Sequence, residues 1–144
     1  MVTMPPDTPR SPVTPEPPDT ARPPGAARPG RGYHCHVEVT VDVIGGKWTP
    51  VVLAHLKEHD RLRFAQLRRL IPDITEKMLA QRLRELEAIR IVDRIPVSTA
   101  PPHVEYALTA QGRSLGPVLQ AMWEWGRDWA ATNQLAVDPV RFHH

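Results

Sequence analysis

Three long polar side chains, Lys77, Gln81 and Arg84, fall at i, i+4 and i+7 within the stretch from Thr75 to Ile89. At about 100° per residue they gather on one side of a helix together with Ala88. The other side carries Leu79, Leu83 and Leu86 and runs on to Arg90, with Met78 and Ile89 flanking it. An ammonium, an amide and a guanidinium on an exposed helical face supply donors for phosphate oxygens and for base edges in a DNA major groove. A solvated face is the commonest fate of such residues, so their position behind a helix and a turn, in a basic segment, is what favours a contact role. Thr75 is placed to cap this helix and to lie at the same surface. Arg82, nearer the apolar flank, has two candidate partners: Glu85 or Glu87 on its own helix, or a phosphate. Arg68 and Arg69, on the preceding helical pattern, are expected to approach backbone phosphates. His103 and Ser98 are placed to reach an adjacent minor groove.

The single cysteine, Cys35, excludes an internal disulfide but leaves an intermolecular one open. It opens a helical pattern, where the macrodipole favours a thiolate, and has His34 and His36 beside it. A lone cysteine is also commonly a small buried hydrophobe, so sensing and packing both stand as readings here. Adjacent residues do not supply three ligands on one side of a helix, and no second cysteine or spaced histidine pair completes a tetrahedral site, so no metal is expected.

The elements that must position these residues follow from periodicity. Val37, Val41 and Ile44 recur at helical spacing before Gly45-Gly46. Val51, Val52, Leu53 and Leu56 form a second helix with Pro50 in its first turn, closed by Glu58 to Asp60. A short strand at Leu62 to Phe64 leads into a helix through Leu67, Leu70 and Ile71, and Pro72-Asp73 turns the chain into the helix from Thr75. Val92, Ile95 and Val97, then Val104, Tyr106 and Leu108, read as two strands of a hairpin whose tip holds Pro101-Pro102. From Thr109 a long helical pattern through Leu115, Val118, Leu119, Met122, Trp125, Gly126 and Trp129 is expected to kink at Pro117. Helix, turn, helix and hairpin together predict a mainly α chain with a small β wing, a winged helix-turn-helix.

At 144 residues there is room for one ordinary domain or a smaller one with a tail. Residues 1–32 are read as a disordered tail, because ten of the seventeen prolines lie before Gly32 among residues too polar to form a core. Residues 33–133 form the folded domain, and 134–144 lack periodicity and are expected to fray. No signal peptide or membrane-length apolar run is found, which places the protein in the cytoplasm without a membrane partner. The net charge of +2 is unevenly spread: Arg61 to Arg94 holds nine basic residues against five acidic ones. Positive potential is thereby concentrated on the segment expected to read DNA. No nucleophile–base constellation or phosphate-cradling glycine loop supports an enzyme or a cofactor.

Three of the four tryptophans, Trp123, Trp125 and Trp129, lie in the last helical pattern and carry more apolar area than a domain of about 100 residues needs there. Completion of the monomer core accounts for some of that area. Pairing with a second copy accounts for the rest, since single winged helices make few groove contacts and gain affinity by pairing half-sites.

Several separate segments resemble the HxlR-type bacterial regulators, relatives of the MarR-like winged-helix proteins. These are Cys35 with Glu38, Ile44-Gly45-Gly46-Lys47-Trp48, Arg63-Phe64 with Leu67, Leu79 with Arg82 to Glu87, Val104-Glu105-Tyr106 with Leu108-Thr109, and Glu124-Trp125-Gly126. The resemblance spans Cys35 to Trp129. It implies a homodimeric transcription factor on a palindromic double-stranded operator, paired through its first and last helices, with Val37, Val41, Met122, Trp125 and Trp129 at the seam. It also implies a small-molecule or oxidant effector acting at Cys35. A winged-helix protein-interaction module that reads no DNA sequence is the alternative. Two positions depart from the family: His36 replaces a usual proline, and Arg90 replaces a common helix-ending glycine. Arg90 leads us to expect an altered turn before the wing, because a side chain in the left-handed region costs about 1 kcal/mol.

Overall fold

The computed structural model describes residues 32–137. The proline-rich stretch before Gly32 and the final seven residues, 138–144, lie outside the described residues. The elements run α1 (His36–Ile44), α2 (Thr49–Glu58), β1 (Leu62–Arg63), α3 (Phe64–Leu70), α4 (Glu76–Ala88), β2 (Val92–Val97), β3 (His103–Leu108), α5 (Ala110–Arg113) and α6 (Gly116–Thr132).

The core forms where the apolar stripes of α2, α3 and α4 meet. Leu53 and Leu56, Leu67 and Leu70, and Leu79, Leu83 and Leu86 are all buried, and Leu62, Val92, Leu108 and Leu119 close the cluster. Burial of each such side chain contributes about 1.5–3 kcal/mol, so α4 has one orientation in which it packs. Pro50 stands in the first turn of α2, as expected.

The wing is a three-stranded antiparallel sheet in the order β1-β3-β2. Its hairpin pairs Val92 with Leu108 through to Val97 with His103. The short strand before α3 adds to the far edge of β3, with Leu62 opposite Tyr106 and Arg63 opposite Glu105. The start of the helix-turn-helix is thus bonded to the wing.

Two expectations are corrected. The helical pattern after Thr109 does not form one kinked helix: α5 ends at Ser114, and α6 begins afresh with Pro117 in its first turn. There the missing N–H of proline has no intrahelical partner to lose and its fixed φ suits the helix, so a new start relieves what a kink would strain.

The second correction concerns Arg90. The turn before the wing keeps its left-handed form, with Arg90 at φ 63. Arg90 N–H donates to the Glu87 carbonyl at 2.9 Å and Ile91 N–H to the Leu86 carbonyl at 2.9 Å. This paired pattern satisfies two orphan carbonyls at the helix end and places buried Ile91 over the last turn. Thr109 reinforces it. Its hydroxyl donates to the Arg90 carbonyl at 2.7 Å and accepts from Gly112 N–H at 2.9 Å. A Cβ on Gly112 would sit 2.1 Å from the Ile91 carbonyl oxygen, so glycine lets α5 pack directly on this turn. Gln134, at φ 55, ends α6 with the same pattern, Leu135 N–H donating to the Ala130 carbonyl at 2.8 Å.

Because the Arg90 hydrogen bonds use only backbone, Arg90→Gly keeps them and removes the left-handed penalty. The variant is expected to gain up to about 1 kcal/mol, a rise of up to about 4–8 °C in melting temperature by thermal unfolding. An unchanged or lower melting temperature would show that the Arg90 side chain compensates for its own backbone.

Candidate nucleic-acid interface

Helix α4 is fixed at both ends. Thr75 Oγ1 accepts from Met78 N–H at 3.1 Å as the N-cap, and Thr75 itself is exposed. With Leu79, Leu83 and Leu86 buried, the opposite side projects outward. Lys77 and Arg84 are exposed and Gln81 is half-buried between them. Of the five candidates offered by α4 and its cap, Thr75, Lys77, Gln81 and Arg84 lie on this outward side.

Arg82 lies elsewhere. Its guanidinium Nη1 donates to Glu85 at 2.8 Å, and the two side chains are only 14% and 17% exposed. The same Glu85 carboxylate accepts from Gln81 Nε2 at 3.0 Å. Of the two partners open to Arg82, the structure holds it against the carboxylate and directs it away from the exposed face.

The arginines of α3 divide as well. Arg69 is exposed, whereas half-buried Arg68 donates through Nη1 to the Ile74 carbonyl. That bond bridges the turn between α3 and α4, so Arg68 fixes the angle of the two helices. His103 is likewise engaged inside the wing. Its Nε2 lies 2.9 Å from Glu105 and its Nδ1 is 3.3 Å from Thr99 Oγ1. Arg61 Nη1 reaches Glu105 at 3.5 Å. The hydrogen bond from His103, seconded by Arg61, holds the Glu105 carboxyl below its usual range.

One basic residue at this surface was not singled out by periodicity. Arg94 on β2, in register with Tyr106 on β3, lines an open cleft of about 410 Å³ with Ala80, Leu83, Arg84 and Glu87 of α4. Two guanidinium groups from different elements thus flank one groove alongside Glu87, and both are donors of the kind that phosphate oxygens and base edges accept. The signal for Arg94 is the strand register, and register emerges only once β2 and β3 are paired.

Cys35 stands exposed at the N-cap of α1. The Glu38 carboxylate folds back over the same helix start, accepting from His34 N–H and from Cys35 N–H at 3.4 Å. The bond from His34 chiefly holds that carboxyl below its usual range. Among the described residues no group of histidine, cysteine and acidic side chains could hold a metal ion.

Large apolar side chains are exposed on two other helices. Val37 and Val41 on α1 are 68% and 54% exposed, and Met122, Trp125 and Trp129 on α6 are 43%, 65% and 52% exposed. Trp125 and Trp129 stack on each other, ring centroids 5.2 Å apart. Leu119 and Ala130 face inward on α6, leaving the tryptophans to solvent in the single chain. No helix among the described residues is long and apolar enough to cross a membrane.

Comparison with known proteins bears on the family and the fold. The profile of the HxlR-like helix-turn-helix family matches residues 43–134. The HTH-type transcriptional regulator YtcD of Bacillus subtilis (strain 168) is 50% identical over 94 residues, covering 65% of this chain and 74% of YtcD. An HTH-type transcriptional regulator of Methanothermobacter thermautotrophicus is 48% identical over 95 residues, 66% of this chain and 72% of its own. Among solved structures, the redox regulator HypR in its oxidized form superposes with a TM-score of 0.62 at 48% identity, covering 65% of this chain and 96% of that one. Diamide-treated YodB from B. subtilis does so with a TM-score of 0.56 at 33% identity, over 68% of this chain and 96% of that one.

The division between Arg68 and Arg69 is testable without a known operator. On a random-sequence duplex, Arg69→Ala is expected to reduce the salt dependence of binding by about one counterion and to leave the melting temperature unchanged. Arg68→Ala is expected to destabilise the fold by about 1–3 kcal/mol, because the Ile74 carbonyl loses its donor. The reverse pattern would exchange their roles.

Proposed function

The chain belongs to the HxlR-like helix-turn-helix family of transcriptional regulators, and we propose that it works as a cytoplasmic homodimer on a palindromic DNA operator, with Cys35 as a redox-responsive thiol. The observation that carries this reading is the division of α4 into a buried leucine stripe and an exposed face of Lys77, Gln81 and Arg84, with Arg94 across the cleft. Lys77 and Arg69 serve phosphates; Gln81 and Arg84 reach base edges. Arg82, Arg68 and His103 support the reading head from within.

Dimerisation is supported by the exposed apolar residues of α1 and α6. Stacked, half-exposed tryptophans are costly in water and are at home in an interface core. A two-fold pair then spaces two α4 helices to meet successive major grooves, about 34 Å apart. The redox reading is supported by the exposed position of Cys35 at the N-cap of the helix that carries Val37 and Val41, and by likeness to HypR, described as a redox regulator. A thiol modified there adds bulk or a crosslink beside the seam, and a change at the seam alters the spacing of the two reading heads.

Sedimentation at tens of micromolar is expected to show a dimer that Trp129→Ala shifts toward monomer; a monomeric parent would remove the dimer from this account. Arg84→Ala is expected to weaken binding to a duplex selected from a random pool by about 1–3 kcal/mol, and equal affinity in a mobility-shift titration would reject the assignment of α4. Diamide is expected to change the affinity of the parent for that duplex and to leave Cys35→Ser unaffected. The same response in both proteins would make Cys35 an ordinary surface residue.

A further inference from the structure

The half-buried cluster on α4 suggests how the base preference of Gln81 is set. Glu85 sits between Gln81 and Arg82 on the flank of the helix, accepting from the amide of one at 3.0 Å and from the guanidinium of the other at 2.8 Å. A carboxylate has no proton to give, so the group of Gln81 facing Glu85 must be its NH2, and the amide cannot turn over without opposing oxygen to oxygen. Gln81 therefore projects its carbonyl oxygen and its second N–H in one fixed order. That order matches adenine, whose N6–H2 donates and whose N7 accepts in the major groove; guanine presents two acceptors there.

Resting on the reading of α4 as the groove helix, we propose that Glu85 is a positioning residue that locks the Gln81 amide to read adenine, and that Arg82 neutralises Glu85. An unpaired carboxylate this close to the groove would repel phosphates. Arg82 stands 2.8 Å from it with only 14% of its side chain exposed, and supplies the compensating charge without entering the groove itself. The triad thus separates two tasks that a free glutamine would combine, holding an orientation and making a contact. It also accounts for a cation on the reading helix that is directed inward.

The experiment uses the full-length protein and a duplex selected from a random pool, followed by a panel in which each position of one half-site is changed singly. Gln81→Ala identifies the position that Gln81 controls, as the one where discrimination disappears. There the parent is expected to prefer adenine over guanine by about tenfold or more. Glu85→Ala is expected to reduce that preference to less than about threefold while leaving discrimination at the other positions as in the parent. Glu85→Gln, whose carbonyl still accepts from Gln81, is expected to restore most of it. Adenine preference retained in Glu85→Ala, or a base other than adenine at the Gln81 position, overturns the proposal and leaves the groove assignment of α4 intact. A parent protein that selects no sequence at all overturns both.

Discussion

The reading head depends on how one leucine stripe is buried. Leu79, Leu83 and Leu86 have almost no exposed surface, and an α-helix that buries one stripe has no freedom in what it displays on the other side. The positions of Lys77, Gln81 and Arg84 are thus consequences of packing. Both ends are fixed as well. Thr75 caps the first turn, Arg68 ties the turn before it to Ile74, and the paired backbone bonds at Arg90 and Ile91 end the helix against Thr109 and Gly112. The same end leads directly into β2, so the wing inherits its place from the helix, and Arg94 reaches the cleft because Val92 is buried two residues earlier.

The last helix serves two solvents. Leu119 and Ala130 face the core of their own chain, while Met122, Trp125 and Trp129 remain outside it. An apolar area of this kind, together with Val37 and Val41 on α1, is more than a small domain tolerates in water without use. The exposed surfaces also differ in chemistry: α4 and the wing present basic and polar side chains, whereas α1 and α6 present apolar ones. Covering the apolar ones with another copy leaves the basic ones free on each, which is the geometry a two-fold operator requires.

Most of the fold was legible in the sequence because its helices carry strong periodicity and its boundaries carry glycine, proline or threonine. The buried leucines of α4, the cap at Thr75, the proline start of α2 and both wing strands follow from local pattern. What was not legible is non-local. Pairing of Leu62 with Tyr106 joins residues far apart in sequence, and without that register Arg94 has no evident place in the cleft. Pro117 was ambiguous on its own, since only the tertiary position of α5 decides between a kink and a fresh start. The left-handed Arg90 shows packing outweighing propensity: two backbone bonds and the burial of Ile91 exceed a penalty of about 1 kcal/mol. Among the site residues, pattern placed Lys77, Gln81 and Arg84 on the exposed face, but charge alone did not distinguish an arginine that faces solvent from one that bridges a turn or pairs inside the helix. Arg68, Arg82 and His103 are separated from Arg69 and Arg84 only by their hydrogen bonds.

The central claim is that α4 enters the major groove, twice per dimer. Dimethyl sulfate and hydroxyl-radical footprints of the protein on a duplex of its selected sequence address it directly, because the first probe reports guanine N7 in the major groove and the second the sugar backbone. The account predicts guanine N7 protection in two successive major grooves on one face of the DNA, about 34 Å apart, flanked by backbone protection where the wings lie. Backbone protection without any change at guanine N7, or a single protected groove at saturating protein, would contradict it.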